Sequence, residues 1–273
     1  VMKQLLITIA ALVMVGCGNS QKSISSPESE AVQSDNKDTS KQTASSSAPR
    51  ATESDAEHLS LALPPDKIQE HLLLKAVEEG NIKSVKENLA FGTDVNAKFD
   101  GDWTPLHIAA ANNYLDIAKL IISEGGNVNK KDENKNTPLH IAAFSGKKEV
   151  AELLILKGAD VNAKAAFEAS PLHISAAEGH KDITKLLISK NANINAENES
   201  GWTVLHCAVV GGHKEITKQL IDKGADVNAK VTSVQNQGST PLDAAIETDQ
   251  PEIADLLRKH GGKTAEELKA EGK

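Results

Sequence analysis

TPLHIAA stands at residues 104–110 and again at residues 137–143, so one heptapeptide occurs twice within a single chain, thirty-three residues apart. Sliding onward by the same step finds Ser-Pro-Leu-His-Ile-Ser-Ala from Ser170 and Thr-Val-Leu-His-Cys-Ala from Thr203. A further copy, Thr-Pro-Leu-Asp-Ala-Ala from Thr240, follows a step lengthened by a polar insert around Ser233 to Gln237. A fixed period of this length marks a stacked repeat array, because one short unit cannot bury its apolar face alone. A second block keeps the same period: GGNVN at Gly125, GADVN at Gly158 and Gly224, NANIN at Asn191. Between the blocks lie DIAKLIIS, KEVAELLILK, KDITKLLISK and KEITKQLIDK.

The local chemistry of one unit follows from these residues. Pro after Thr suits the first turn of a helix, where its missing N–H has no partner to lose, and the Thr or Ser before it caps that turn. Leu106, Ala109 and Ala110 give a short helix whose small residues let a neighbour approach closely. Ile117, Leu120 and Ile121 fall at i, i+3 and i+4, one apolar stripe on a second helix, as do Val150, Leu153 and Leu154. Gly125, Gly158, Asn191, Gly224 and Gly261 then end that helix, being residues that accept a left-handed backbone. Each unit is predicted to be a helix pair followed by an extended loop.

The TPLH block, the Ala pair, the Gly-His turns at Gly179-His180 and Gly212-His213, and GADVNAK together resemble the ankyrin repeat. The likeness runs from about Ile68 to Gly262. A degenerate first copy, carrying Leu73, Ala76, Gly80, Val85, Leu89 and GTDVNAK from Gly92, brings the number to about six. The resemblance implies a mainly α, ankyrin-repeat solenoid of helix-turn-helix units with hairpin-like loops, over residues 66–262. Its repeats are expected near 68–97, 101–130, 134–163, 167–196, 200–229 and 237–262. Arg258 takes the place held by Leu89, Ile122, Ile155, Ile188 and Ile221, as befits a last copy with nothing stacked upon it. In the tail, 263–273, Thr264 and Glu267 have capping-box spacing and predict a closing helix.

Ahead of the array, Met2-Lys3 and the run QLLITIAALVMVGC read as a secretory signal over residues 1–16, too short for a confident span. Val1 reads as a non-standard start, or Met2 as the true one. Met14-Val15-Gly16-Cys17 resembles a bacterial lipobox, with Met14 where Leu is commoner; lipidation of Cys17 is the favoured expectation, beside an ordinary cleaved signal and a retained anchor. Gly18 after the Cys implies, by the sorting habit of that class, the outer membrane facing the periplasm. From the lipidated Cys17 to residue 65 the chain is polar, with almost no large apolar residue before Leu59, and is expected to be a disordered tether.

The chemistry-bearing residues point away from catalysis. The histidines His107, His140, His173 and His206 recur once per unit, so they form a ladder that does not converge on a metal; the ankyrin resemblance implies a structural role between hairpins. GGKT at Gly261 imitates the tail of a phosphate loop, but the first Gly of that motif would fall on Leu257 and a helix precedes it. Cys207 stands where other copies have Ile and reads as a buried hydrophobe. No enzyme, cofactor or metal is expected, and a net charge of -8 disfavours nucleic acid as a partner.

What remains are positions the framework does not dictate. The resemblance implies that partner contacts lie on a concave strip of hairpin tips and inner helix. Those positions are Phe99, Asp102 and Trp103; Glu133, Lys135 and Asn136; Phe167 and Glu168; Trp202 with its neighbour Glu199; and, on the helices, Asn112, Phe144, Ser145, Glu178 and Val210. Aromatic residues concentrate here, and exposed aromatics anchor interfaces. Trp103 and Trp202 have a second reading, packing between adjacent hairpins, and Glu168 in place of a hairpin Gly suggests a bent third finger. The expectation is a monomeric, lipid-anchored scaffold of the cell envelope that binds another protein; an immunity-type inhibitor and a structural spacer are the alternatives.

Overall fold

A computed structural model describes residues 64–232 and 237–272. The signal segment, Cys17 and most of the tether lie outside the described residues. Helices pair along the chain: α1 (Pro65–Glu78) with α2 (Ile82–Ala90), α3 (Pro105–Asn112) with α4 (Leu115–Ser123), and α5 (Pro138–Phe144) with α6 (Lys148–Leu156). Then follow α7 (Pro171–Ala177) with α8 (Lys181–Ser189), α9 (Val204–Val210) with α10 (Lys214–Asp222), α11 (Pro241–Glu247) with α12 (Pro251–Lys259), and a last helix α13 (Ala265–Ala270). The odd-numbered helices from α3 to α11 form the inner row and the even-numbered the outer row; each packs on its sequence partner and on its counterpart in the next layer.

Stacking completes the core, as the sequence period predicts. Leu106, Leu139, Leu172, Leu205 and Leu242, one per layer, are buried, and so are Ile121, Leu154, Leu187, Leu220 and Leu257 of the outer row. The small residues after each inner leucine are buried too, which lets successive inner helices lie close. In the third of these layers the outer Thr184 hydroxyl donates to Ser175 Oγ at 3.1 Å, where the layer before holds the buried pair Ala142 and Ala151. A polar pair is tolerated there because each hydroxyl partners the other.

Every inner helix from α3 to α11 opens with a capping box. Four use the His of the TPLH block as its return arm. The last uses Asp243, whose carboxylate accepts from Thr240 N and Oγ1 and also from Ala265 N at the start of α13. That replacement of His by Asp docks the closing helix. Thr264 caps α13 through Glu267, Leu268 is buried against the array, and Arg258, exposed as its position requires, pairs with Glu267 at 3.3 Å.

A second ladder was not foreseen. The Asn of each DVNAK-like block, at 96, 129, 162, 195 and 228, reaches to the next layer. Asn129 Nδ2 donates to Gly158 O at 3.0 Å while its Oδ1 accepts from Asp160 N at 2.9 Å, and Asn195 and Asn228 repeat the pair with Gly224 and Asp226 and with Gly261 and Lys263. On the other edge, His180 Nε2 meets Phe144 O and His213 Nε2 meets Ala177 O, each at 2.8 Å. A Cβ at Gly179, which has φ +79, would come within 2.5 Å of the His213 ring, so that turn requires glycine for both its conformation and the close approach.

A candidate protein-binding surface

The loops between units are five fingers, each closed at its base by one backbone bond. Phe99, Asp132, Ala165, Asn198 and Val231 donate to the carbonyls of Trp103, Asn136, Ala169, Trp202 and Ser239 at 2.9 to 3.0 Å. Neighbouring tips are joined as well: Glu133 N donates to Gly101 O, Ala166 N to Asn134 O and Glu199 N to Phe167 O, at 2.8 to 3.0 Å. The first four fingers are therefore a hydrogen-bonded row and not separate loops.

Finger shape depends on one residue. Where Asp132 or Asn198 begins the turn, its side chain accepts two backbone amides, and a single tip residue, Lys135 or Gly201, is left-handed. Where Phe99 or Ala165 stands instead, no such acceptor exists and two consecutive tip residues turn left-handed, Gly101 with Asp102 and Phe167 with Glu168. The bend foreseen in the third finger takes this form. A bulky residue at φ +57 is costly, so Phe167 holds its exposed ring, 36% accessible, on strained backbone.

Beneath the fingers lies the histidine ladder. His107, His140 and His173 each accept at Nδ1 from the backbone N–H of the capping Thr or Ser, which places the proton on Nε2. Nε2 then donates to the base of the next finger: His107 to Asn136 O at 3.1 Å, His140 to Ala163 O and Ala169 O, His173 to Trp202 O at 3.2 Å. His206 has the same Nδ1 contact, but among the described residues its Nε2 has no hydrogen-bond partner. Burial depresses the pKa of all four to about 4, so each is neutral at pH 7. Burial also raises Asp132, against the hydrogen bonds it accepts from Asn136 and Asn134.

The nominated contact residues divide by exposure. Trp103 and Trp202 are 1% and 5% exposed, packed on the rings of His107 and His206, and Asn136 is buried where its amide donates to Asp132. None of the three is presented to a partner, which corrects their nomination; the packing reading of the two tryptophans is the one observed. Burial of these side chains fixes the finger bases, since each residue sits immediately before a capping Thr. The remaining tip residues Asp102, Glu133, Lys135, Phe167 and Glu168 reach solvent, with Asp102 and Glu168 paired to Lys98 and Lys164. Phe99 is half-buried against the core. On the inner helices Asn112 is exposed and bonds back to Ile108 O, while Phe144, Ser145, Glu178 and Val210 are half-buried. Cys207 is buried in a small cluster with Trp202 and Val231. Two large apolar residues that the sequence reading passed over, Phe91 and Leu156, stand 82% and 80% exposed at the ends of outer helices.

Comparison with known sequences decides the family. A family model described as ankyrin repeats in three copies matches twice, over residues 73–165 and 172–267. The chain belongs to the ankyrin-repeat family. Among curated relatives, this array is similar to human protein phosphatase 1 regulatory subunit 27, 43% identical over 53 residues, which is 19% of this chain and 34% of that protein. It is also similar to ankyrin repeat domain-containing protein 49 of Drosophila melanogaster, 46% identical over 59 residues, 21% of this chain and 27% of the relative. The matched stretch spans about a third or less of each relative's length. An ankyrin array is a protein-interaction module, and the finger row with the exposed edge of the inner helices is one surface where this one departs from its own period.

Proposed function

We propose that this chain is a lipid-anchored ankyrin scaffold of a bacterial cell envelope that holds another protein against its finger and inner-helix strip. The observation that carries the proposal is the contrast between the two kinds of position. Framework residues repeat from layer to layer and are consumed in stacking, capping and the two ladders. Strip residues do not repeat, and Phe167 and Phe144 keep aromatic surface available there, the former on strained backbone. The regulatory-subunit name of the human relative accords with binding in place of catalysis. Recognition by such a surface rests on complementarity alone; no bond is made or broken. The envelope location rests on the lipobox-like Met14-Val15-Gly16-Cys17.

The test is recovery of a partner from envelope extract by the wild-type chain and by a Phe144→Ala, Lys135→Ala, Phe167→Ala variant, with helical circular dichroism as the fold control. A protein retained by wild type and lost by the variant supports binding on the strip. Equal retention by both, or none by either, favours the spacer reading. Globomycin sensitivity and lipid labelling at Cys17, lost in Cys17→Ser, test the anchor separately.

A further inference from the structure

On the inner row, the position six residues after each helix-opening Pro or Val runs Ala111, Phe144, Ala177, Val210, Glu247, and the next runs Asn112, Ser145, Glu178, Gly211, Thr248. In the α7 layer the residue in register between the larger Phe144 and Val210 is the small Ala177, and that step down in side-chain size is a shallow notch in the row of side chains only, since His213 and Gly211 lie against the Ala177 carbonyl. The residue bordering it is Glu178, flanked in the two adjacent layers by Ser145 and by Gly211, which has no side chain. Phe144, Ala177 and Val210 are all half-buried and packed on the apolar interior, so the notch is walled by carbon.

Its backbone is already satisfied, since the carbonyls of Phe144 and Ala177 are taken by His180 and His213. The Glu178 carboxylate is not: among the described residues it has neither a hydrogen bond nor an ion pair. Burial lifts its pKa above the usual carboxylate range, and no nearby cation offsets that. The fingers supply it no partner: Lys98 and Lys164 are engaged by Asp102 and Glu168, and the exposed Lys131 and Lys135, like Asp100, Glu133 and Glu199, form no ion pair among the described residues.

We infer that the partner's contact segment carries a lysine or arginine, whose aliphatic stem lies over Ala177 between Phe144 and Val210 and whose cationic head pairs with Glu178. This deepens the strip reading above and rests on it. A half-desolvated carboxylate gains more from a cation than an exposed one does, and a long basic side chain alone combines the apolar stem with the charge. A free metal ion would find a single carboxylate with no second ligand, and a phosphate-bearing partner would meet acid.

Selection of a random phage-displayed peptide library on the purified wild-type chain tests this. Selected peptides should share one Lys or Arg. In the synthetic peptide of highest affinity, changing that residue to Gln should weaken binding to wild type by at least about tenfold, yet change binding to Glu178→Gln little, the signature of a coupled pair. Glu178→Gln should keep the wild-type circular dichroism spectrum and should not lower the thermal midpoint, because the side chain supports no other contact and its buried charge is removed. Peptides that bind the strip, as judged by loss on Phe144→Ala, but lack a shared basic residue or show no coupling would overturn this inference and leave the strip reading standing. Binding insensitive to Phe144→Ala, or no selected peptide at all, would count against both.

Discussion

Acid should unzip this array well above the pH at which carboxylates are protonated. His107, His140, His173 and His206 are held at about 4 by burial, against 6.5 for an ordinary imidazole. Geometry agrees, because Nδ1 of each accepts a backbone N–H and protonating it would break the capping box. A depressed folded pKa means the unfolded chain takes up protons that the folded chain refuses. The stability these groups contribute is therefore complete above about pH 6.5 and is lost as the pH falls from there toward 4. Linkage gives a loss of about 1 kcal/mol per histidine at pH 6 and about 2 at pH 5. Four such groups reach roughly 8 kcal/mol at pH 5, comparable with the ~5 to 15 kcal/mol that holds an ordinary domain folded. Asp132 and Glu178, both raised, act in the opposite sense and return some stability as the pH falls. Urea unfolding followed by circular dichroism should therefore show a steep fall in midpoint between pH 6.5 and pH 5, and His140→Gln should remove about one proton from that dependence, or roughly 1.4 kcal/mol per pH unit. A midpoint that is flat from pH 7 to pH 5 would refute the reasoning.

Other perturbations separate the parts of the scaffold. Leu154→Ala, at a fully buried outer-row position, should cost about 2 to 5 kcal/mol in urea unfolding, and Leu153→Ala, half-buried one residue earlier, distinctly less. Asn129→Ala removes a donor and an acceptor that tie two layers; a loss of about 1 to 2 kcal/mol and faster hydrogen exchange at the Asp160 amide are expected, whereas an unchanged amide would discount the ladder. Phe167→Gly should leave stability within about 1 kcal/mol of wild type, because relief of left-handed strain offsets the added freedom of the unfolded chain. A large loss there would mean that the ring supports the fold.

Much of the scaffold was legible because it is periodic. TPLH named its own cap and first turn, the stripe of Val150, Leu153 and Leu154 named the outer helix, and Thr264 with Glu267 named the closing helix. What was not legible lies between layers. A thirty-three-residue period says which residues are equivalent, not which ones touch, so the reach of Asn129 to Gly158 and Asp160 could be found only in the fold, although the unbroken Asn at each step was its signal. The same limit applied to the tryptophans. A Trp before the capping Thr looks exposed in a polar loop, yet the finger folds it onto the histidine below. The turn types followed from a chemistry visible in the sequence but unused: Asp132 and Asn198 can cap a turn with their side chains, and Phe99 and Ala165 cannot.

Site-specific photocrosslinking in the cells that make the protein tests the central claim most directly. With a photoreactive phenylalanine analogue at position 144 or 167 on the strip, and at position 91 or 156 on the outer-helix ends as controls, the account predicts one protein crosslinked from both strip positions and from neither control. Crosslinks from 91 and 156 alone would move the binding surface to the other side of the array. Silence at all four positions would contradict a protein-binding role for the strip.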